Sequence, residues 1–124
     1  MKVLFVDNED DILSLVEIAL DGEGIDLTAA GSGSEGFARI EAETFDCFLF
    51  DLMMPKPDGR DLVRKVRETP HNATKPVVVC TAKVTASVER DLVEAGATCV
   101  LAKPFDPLSL GDYLRDVVTA AGHV

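Results

Sequence analysis

In this chain, residues able to do chemistry stand where apolar runs stop. The run Val3-Leu4-Phe5-Val6 gives way to Asp7 and the acidic stretch Asn8-Glu9-Asp10-Asp11. Cys47-Phe48-Leu49-Phe50 ends at Asp51, Val77-Val78-Val79-Cys80 ends at Thr81, and the run from Thr98 to Ala102 ends at Lys103. Two acids, a hydroxyl and an ammonium brought together have a definite use. Close carboxylates repel, and a divalent cation relieves the repulsion. A site with few carboxylates, completed by water, backbone carbonyl and phosphate oxygens, suits magnesium. A carboxylate beside such an ion attacks a phosphoryl group to form an acyl phosphate. Lys103 then offers a mobile ammonium, and Thr81 a hydroxyl, to the phosphoryl oxygens. The set is sufficient for reversible phosphorylation of an aspartate.

The four positions meet only if the apolar runs are neighbouring strands of one sheet. Residues 3–6, 47–50, 76–80 and 98–102 are near-continuous apolar segments, the pattern of parallel strands buried on both faces. Residues 25–30 are less apolar and read as a strand nearer an edge. Between the strands lie helical patterns. Ile12, Leu13, Val16, Ala19 and Leu20 follow the acids, and residues 9–11 read first as first-turn acids that complement the helix dipole. Gly22 and Gly24 punctuate the exit. Ser32 and Glu35 form a capping-box pattern ahead of Phe37, Ala38 and Ile40. Asp58-Gly59 reads as a turn signal before a helix that turns Leu62, Val63 and Val66 inward. Its Arg60, Arg64, Lys65 and Arg67 read as a solvated basic face, and Pro70 ends it. A further helix carries Val84, Val88, Leu92 and Ala95 and closes at Gly96. Asp106-Pro107 opens the last, with Leu110, Tyr113, Leu114, Val117 and Val118, which frays after Ala121. Five strands alternating with five helices predict a parallel α/β sheet covered on both faces. Strand-end residues then gather at one rim, where open sheets of this kind place their ligands.

Composition narrows the functional classes. The chain has 124 residues, 47% of them hydrophobic, which predicts one folded domain over residues 1–124. Its formal charge of −10 argues against direct binding to nucleic acid or to anionic lipid. Cys47, Cys80 and Cys99 are odd in number and lack metal-ligand spacing, so they predict free thiols in a reducing cytoplasm. The amino-terminal apolar run, broken by Asp7, is too short for a signal peptide or membrane span. His71 and His123 fall in a polar loop and in the tail, and neither is assigned a chemical role.

Taken in order, the acids after the first strand, Asp-Leu-Met-Met-Pro-Lys-Pro-Asp-Gly around Asp51, Thr81-Ala82 and Lys103-Pro104-Phe105 resemble the response-regulator receiver domain of two-component signalling over essentially the whole chain. The resemblance implies a flavodoxin-like, doubly wound sheet with strand order 2-1-3-4-5. It implies that Asp51 is the phosphoacceptor, served by a histidine kinase or phosphotransfer protein. Asp7 and Asp51 would hold Mg2+ with the backbone carbonyl of Met53, Thr81 would be the switch hydroxyl, and Lys103 would contact the phosphoryl group. The peptide bond between Lys103 and Pro104 is expected to be cis. Met53 and Lys83 stand where the family tunes loss of the phosphoryl group. Such a domain assists its own phosphorylation without being a turnover enzyme, and it signals to a downstream protein target.

Two positions depart from the family pattern. Asn8 occupies the place of a second metal-binding acid. Its amide oxygen can coordinate but brings no charge, so magnesium binding is expected to be weaker unless Glu9 or a neighbour substitutes. Val100 replaces the aromatic residue expected three positions before Lys103, so switching is expected to be muted or different. These departures motivate an alternative, a receiver-fold binding module that works without phosphorylation. A haloacid-dehalogenase-type phosphatase would want an acid at position 53, which is Met, and a flavodoxin would want a hydroxyl-rich rather than acidic first loop. The end of the chain just past the fifth helix leads to the expectation of a stand-alone regulator acting through protein contacts.

Overall fold

A computed structural model describes residues 1–122; His123, and with it the tail, lies outside the described residues. Five strands, β1 (Lys2–Val6), β2 (Asp26–Ala30), β3 (Cys47–Asp51), β4 (Val77–Thr81) and β5 (Cys99–Ala102), alternate with five helices. These are α1 (Asp10–Leu20), α2 (Gly33–Ala42), α3 (Gly59–Glu68), α4 (Ala86–Ala95) and α5 (Pro107–Gly122). The strands form one parallel sheet in the order β2-β1-β3-β4-β5, as expected.

Alternation along each strand divides the core in two. Leu4, Val6, Phe48, Phe50, Val77 and Val79 point to one face, where they meet Ile40 of α2, Leu62, Val63 and Val66 of α3 and Leu92 of α4. Val3, Phe5, Cys47, Leu49, Val78 and Cys80 point to the other, against Leu13, Val16 and Leu20 of α1 and Leu110 and Leu114 of α5. A strand buried on both faces needs apolar residues at every position, which is why β1, β3 and β4 read as unbroken runs. β2 and β5 are edges and are less buried. Helix α4 is the least anchored, with Leu92 its one fully buried residue while Val93 stays exposed.

Several local features differ from the sequence expectation. Arg67 does not belong to a solvated face. It is half-buried, and its guanidinium donates to the carbonyls of Gly96, Ala73 and Lys75, tying the exits of α3 and α4 to the loop before β4. Lys65 also folds back, pairing with Glu41 and lying over the Phe37 ring. Asp58 is more than a turn residue: it caps α3 in a reciprocal box with Asp61. At α2 the Ser32 hydroxyl accepts from the Glu35 N–H, while the Glu35 carboxylate reaches one residue further back, to the N–H of Gly31.

The loop between α3 and β4 holds a polar residue whose importance the sequence does not announce. Asn72 is fully buried. Its amide donates to the carbonyls of Ile40 and Glu43 and accepts from the N–H of Phe45, so one side chain satisfies the backbone where α2 ends and β3 begins. Removing it strands buried groups, each costing about 1–3 kcal/mol. Asn72→Ala is therefore expected to lower unfolding stability by roughly 2–4 kcal/mol, read from the urea midpoint. A loss within the range of ordinary surface substitutions, about 0.5 kcal/mol, would contradict this assignment.

Candidate functional site

The sheet continues one hydrogen bond past three of its strands, and those extra bonds place the site. The N–H of Asp7 donates to the carbonyl of Ala30, that of Leu52 to Cys80, and that of Lys103 to Thr81, at 3.1, 2.9 and 2.9 Å. Asp7, Asp51, Thr81 and Lys103 are thereby fixed on one rim by backbone, not by mobile loops. Behind Asp51, helix α3 starts so close that a Cβ on Gly59 would lie 2.5 Å from the Asp51 carbonyl oxygen. Only glycine lets α3 begin there, and this is the physical content of the glycine after Asp58.

The side chains converge on the ammonium of Lys103. Its Nζ lies 2.9 Å from Oδ2 of Asp7, 3.4 Å from Oδ1 of Asp51 and 3.7 Å from Oε1 of Glu9. Asp7 is fully buried and Asp51 is 3% exposed. The other oxygen of Asp7 accepts the N–H of Glu9 at 2.9 Å. Burial, and then the neighbouring charge of Asp7, push the Asp51 carboxyl above its ordinary value, against the opposing pull of Lys103 and of the Met53 N–H. For Lys103, burial disfavours the charge, yet the hydrogen bond to Asp7 and the charges of both aspartates outweigh it and hold the ammonium above its usual value. Thr81 is buried at the end of β4, and its hydroxyl oxygen accepts from the N–H of Lys83 at 3.3 Å, leaving the hydroxyl proton free to donate.

One carboxylate oxygen from each of Asp7, Glu9 and Asp51 lies within 4.8 Å of the others. Oxygen donors alone, several of them charged, fit a hard cation such as magnesium. Glu9, at the N-cap of α1, is therefore placed both to complement the helix dipole and to join the two aspartates at the rim. Asn8 is exposed and lines a separate groove with Gly33, Met54 and Pro57. Beside the ammonium lies an apolar hollow of about 340 Å³ lined by Ile12, Leu15, Ala82, Pro104 and Phe105. The Lys103–Pro104 peptide is cis, as expected, and so is Lys56–Pro57, which the sequence did not flag. Val100 pairs with Val79 and packs, partly buried, on the face of α2, α3 and α4.

The raised carboxyl of Asp51 has a consequence for stability. A carboxyl whose folded pKa exceeds its unfolded one favours the folded state only while protonated. Its contribution falls as pH rises from the ordinary value of 3.8 through the folded pKa, and above that it is a constant penalty. Asp51→Asn removes the penalty. In metal-free buffer the variant is expected to be more stable than wild type at pH 7, and the gain should shrink as pH falls toward the ordinary carboxylate range. Paired urea titrations across pH check this, and a gain independent of pH would refute it.

Comparison with known proteins agrees with this geometry. The model of the response regulator receiver domain matches residues 3–115. The transcriptional regulatory protein YclJ of Bacillus subtilis, itself uncharacterized, is 33% identical over 95% of this chain and 51% of its own length. The transcriptional regulatory protein CseB of Streptomyces coelicolor is 35% identical over 98% of the chain and 50% of its own. The chain therefore spans about half the length of these relatives. Among solved structures, the chemotaxis protein CheY4 of Vibrio cholerae superposes with a TM-score of 0.88 at 30% identity, covering 94% of this chain and 97% of that one. A response regulator of Chloroflexus aurantiacus gives 0.85 at 32% identity, covering 95% and 97%. With the rim residues and the sheet order in agreement, the chain belongs to the response regulator receiver domain family.

Proposed function

We propose that Asp51 accepts a phosphoryl group from a histidine kinase or phosphotransfer protein, with magnesium, and that the modified rim alters a surface read by a downstream protein. The observation that supports this best is the burial of two carboxylates, Asp7 and Asp51, around a single ammonium. An arrangement that keeps charges out of water at a strand end is costly, and catalysis gives it a use.

Asp7, Asp51 and Glu9 are the carboxylates available to the cation, and the Met53 carbonyl accepts no backbone hydrogen bond among the described residues, so it is free to join them. Bound magnesium would supply positive charge to phosphoryl oxygens beside the carboxylate. The chain's own residues do the rest. An oxygen of ionised Asp51 forms the new P–O bond as the bond from phosphorus to the donor's imidazole nitrogen breaks, and the imidazole leaves with the electron pair. Lys103, already 3.4 Å from Asp51, is placed to exchange its carboxylate contact for a phosphoryl oxygen. The Thr81 hydroxyl, on the neighbouring strand end, has its proton available for another. The domain assists this transfer and its reversal and is not a turnover enzyme. Two thiols are buried and the third partly so, all three are free, and among the described residues no helix is long and apolar enough to cross a membrane, which fits work in a reducing cytoplasm. The alternative, a binding module independent of phosphorylation, rests on Asn8 and Val100; the approach of Glu9 to the two aspartates offers the rim a third charge and favours the phosphoacceptor reading.

Incubation with acetyl phosphate and magnesium is expected to add one phosphoryl group to the intact protein and none to Asp51→Asn, by mass spectrometry in acid. An equal adduct on the variant, or no adduct on either together with no beryllofluoride binding, would overturn the proposal.

A further inference from the structure

We infer that Glu9, not Asn8, supplies the third acid to the cation of this site; this rests on the reading of the rim as a magnesium-assisted phosphoacceptor. Three observations converge. First, the Asp7 oxygen that accepts the Glu9 N–H at 2.9 Å closes a tight turn, and Asn8 within it is exposed, lining the groove with Gly33, Met54 and Pro57. Second, Glu9 occupies the N-cap position of α1, with φ −100° and ψ 107°, yet its side chain makes no capping hydrogen bond. The Glu9 carboxylate thus leaves the first-turn N–H groups of α1 uncapped. It lies instead at the rim, and among the described residues its one charged partner is Lys103, at 3.7 Å.

Third, the Lys103 ammonium acts as a stand-in for a cation. It is a single positive centre approached by Asp7, Asp51 and Glu9 together, so the three carboxylates converge on one positive charge without any ion present. Glutamate has one methylene more than aspartate, which gives the added reach needed from one position further along the chain. A site of Asp7, Asp51 and the neutral Asn8 amide would carry two negative charges; with Glu9 it carries three, and ligand charge is a main determinant of affinity for hard cations. Glu9 lies at the mouth of the site, its side chain 62% exposed, so a cation entering from solvent meets it before the buried aspartates.

Magnesium titration followed by calorimetry and by amide chemical shifts tests this directly, with no dependence on phosphorylation. Glu9→Gln is expected to weaken magnesium binding by about tenfold or more, as befits loss of one charged contact. Glu9→Asp, which keeps the charge but shortens the reach, is expected to weaken it comparably, and Asn8→Ala to weaken it less than Glu9→Gln. Thermal melts establish that each variant is folded, which the exposure of both side chains favours. Affinity of Glu9→Gln within twofold of wild type, full affinity in Glu9→Asp, or a larger loss in Asn8→Ala would each overturn the inference while leaving the phosphoacceptor reading in place. Wild type that binds no magnesium would overturn both.

Discussion

Two carboxylates out of water need a positive charge, and in this fold that need falls on Lys103. Asp7 and Asp51 are both buried at the carboxyl rim of the sheet, and the ammonium between them is what makes their burial tolerable. Leaving a buried charge without its partner costs about 3–5 kcal/mol, a large part of the stability of a domain this size. Much of the architecture serves that one arrangement. The sheet runs one backbone bond beyond β1, β3 and β5 to hold the rim still. The glycine at the start of α3 lets that helix sit against the back of Asp51. The apolar runs of β1, β3 and β4, packed on both faces, form the rigid base from which the charged groups project.

The same tension separates structure from function. Under the proposed function, the ammonium that stabilises the unmodified rim would also meet a phosphoryl oxygen, so modification would exchange one partner for another without creating an unpaired charge. Magnesium would enter the same balance, because the acids proposed to hold it are those that Lys103 contacts. On the far side of β4 and β5, α4 is held by little more than Leu92 and by the hold of Arg67 on the carbonyl of Gly96. A helix with so few buried contacts is drawn from the low-stability end of the structure, where small changes at a neighbouring strand end have the greatest effect.

The fold was legible because its signals are local and repeated. A strand buried on both sides reads as an apolar run, and the place where it stops is visible as a charge; Asp7, Asp51, Thr81 and Lys103 were found that way, and the structure brings them to one rim. What escaped were side chains whose partners are distant in sequence. Arg67 fits the helical period of a solvated face, and nothing nearby says that its guanidinium meets carbonyls 6, 8 and 29 residues away. Asn72 looks like any polar loop residue until the ends of α2 and β3 close around it. Glu9 was half visible. Its acidity fits a first helical turn as well as a rim acid, and its approach to Lys103, 94 residues away in the chain, could not be read from its neighbours. The Asp58 cap was hidden because Asp-Gly signals a turn and a helix start with equal force.

The contact between Asp7 and Lys103 spans 96 residues of chain, and synthesis runs in one direction. Both aspartates of the rim leave the ribosome well before the lysine that compensates them. A nascent chain halted before β5 holds the strands for most of the sheet but no ammonium for its acids. Such a chain must leave its first strands unpaired, protonate a carboxyl, or borrow a cation from solution. The order of the sequence thus makes β5, the strand that leads into Lys103, the arbiter of when the rim can close.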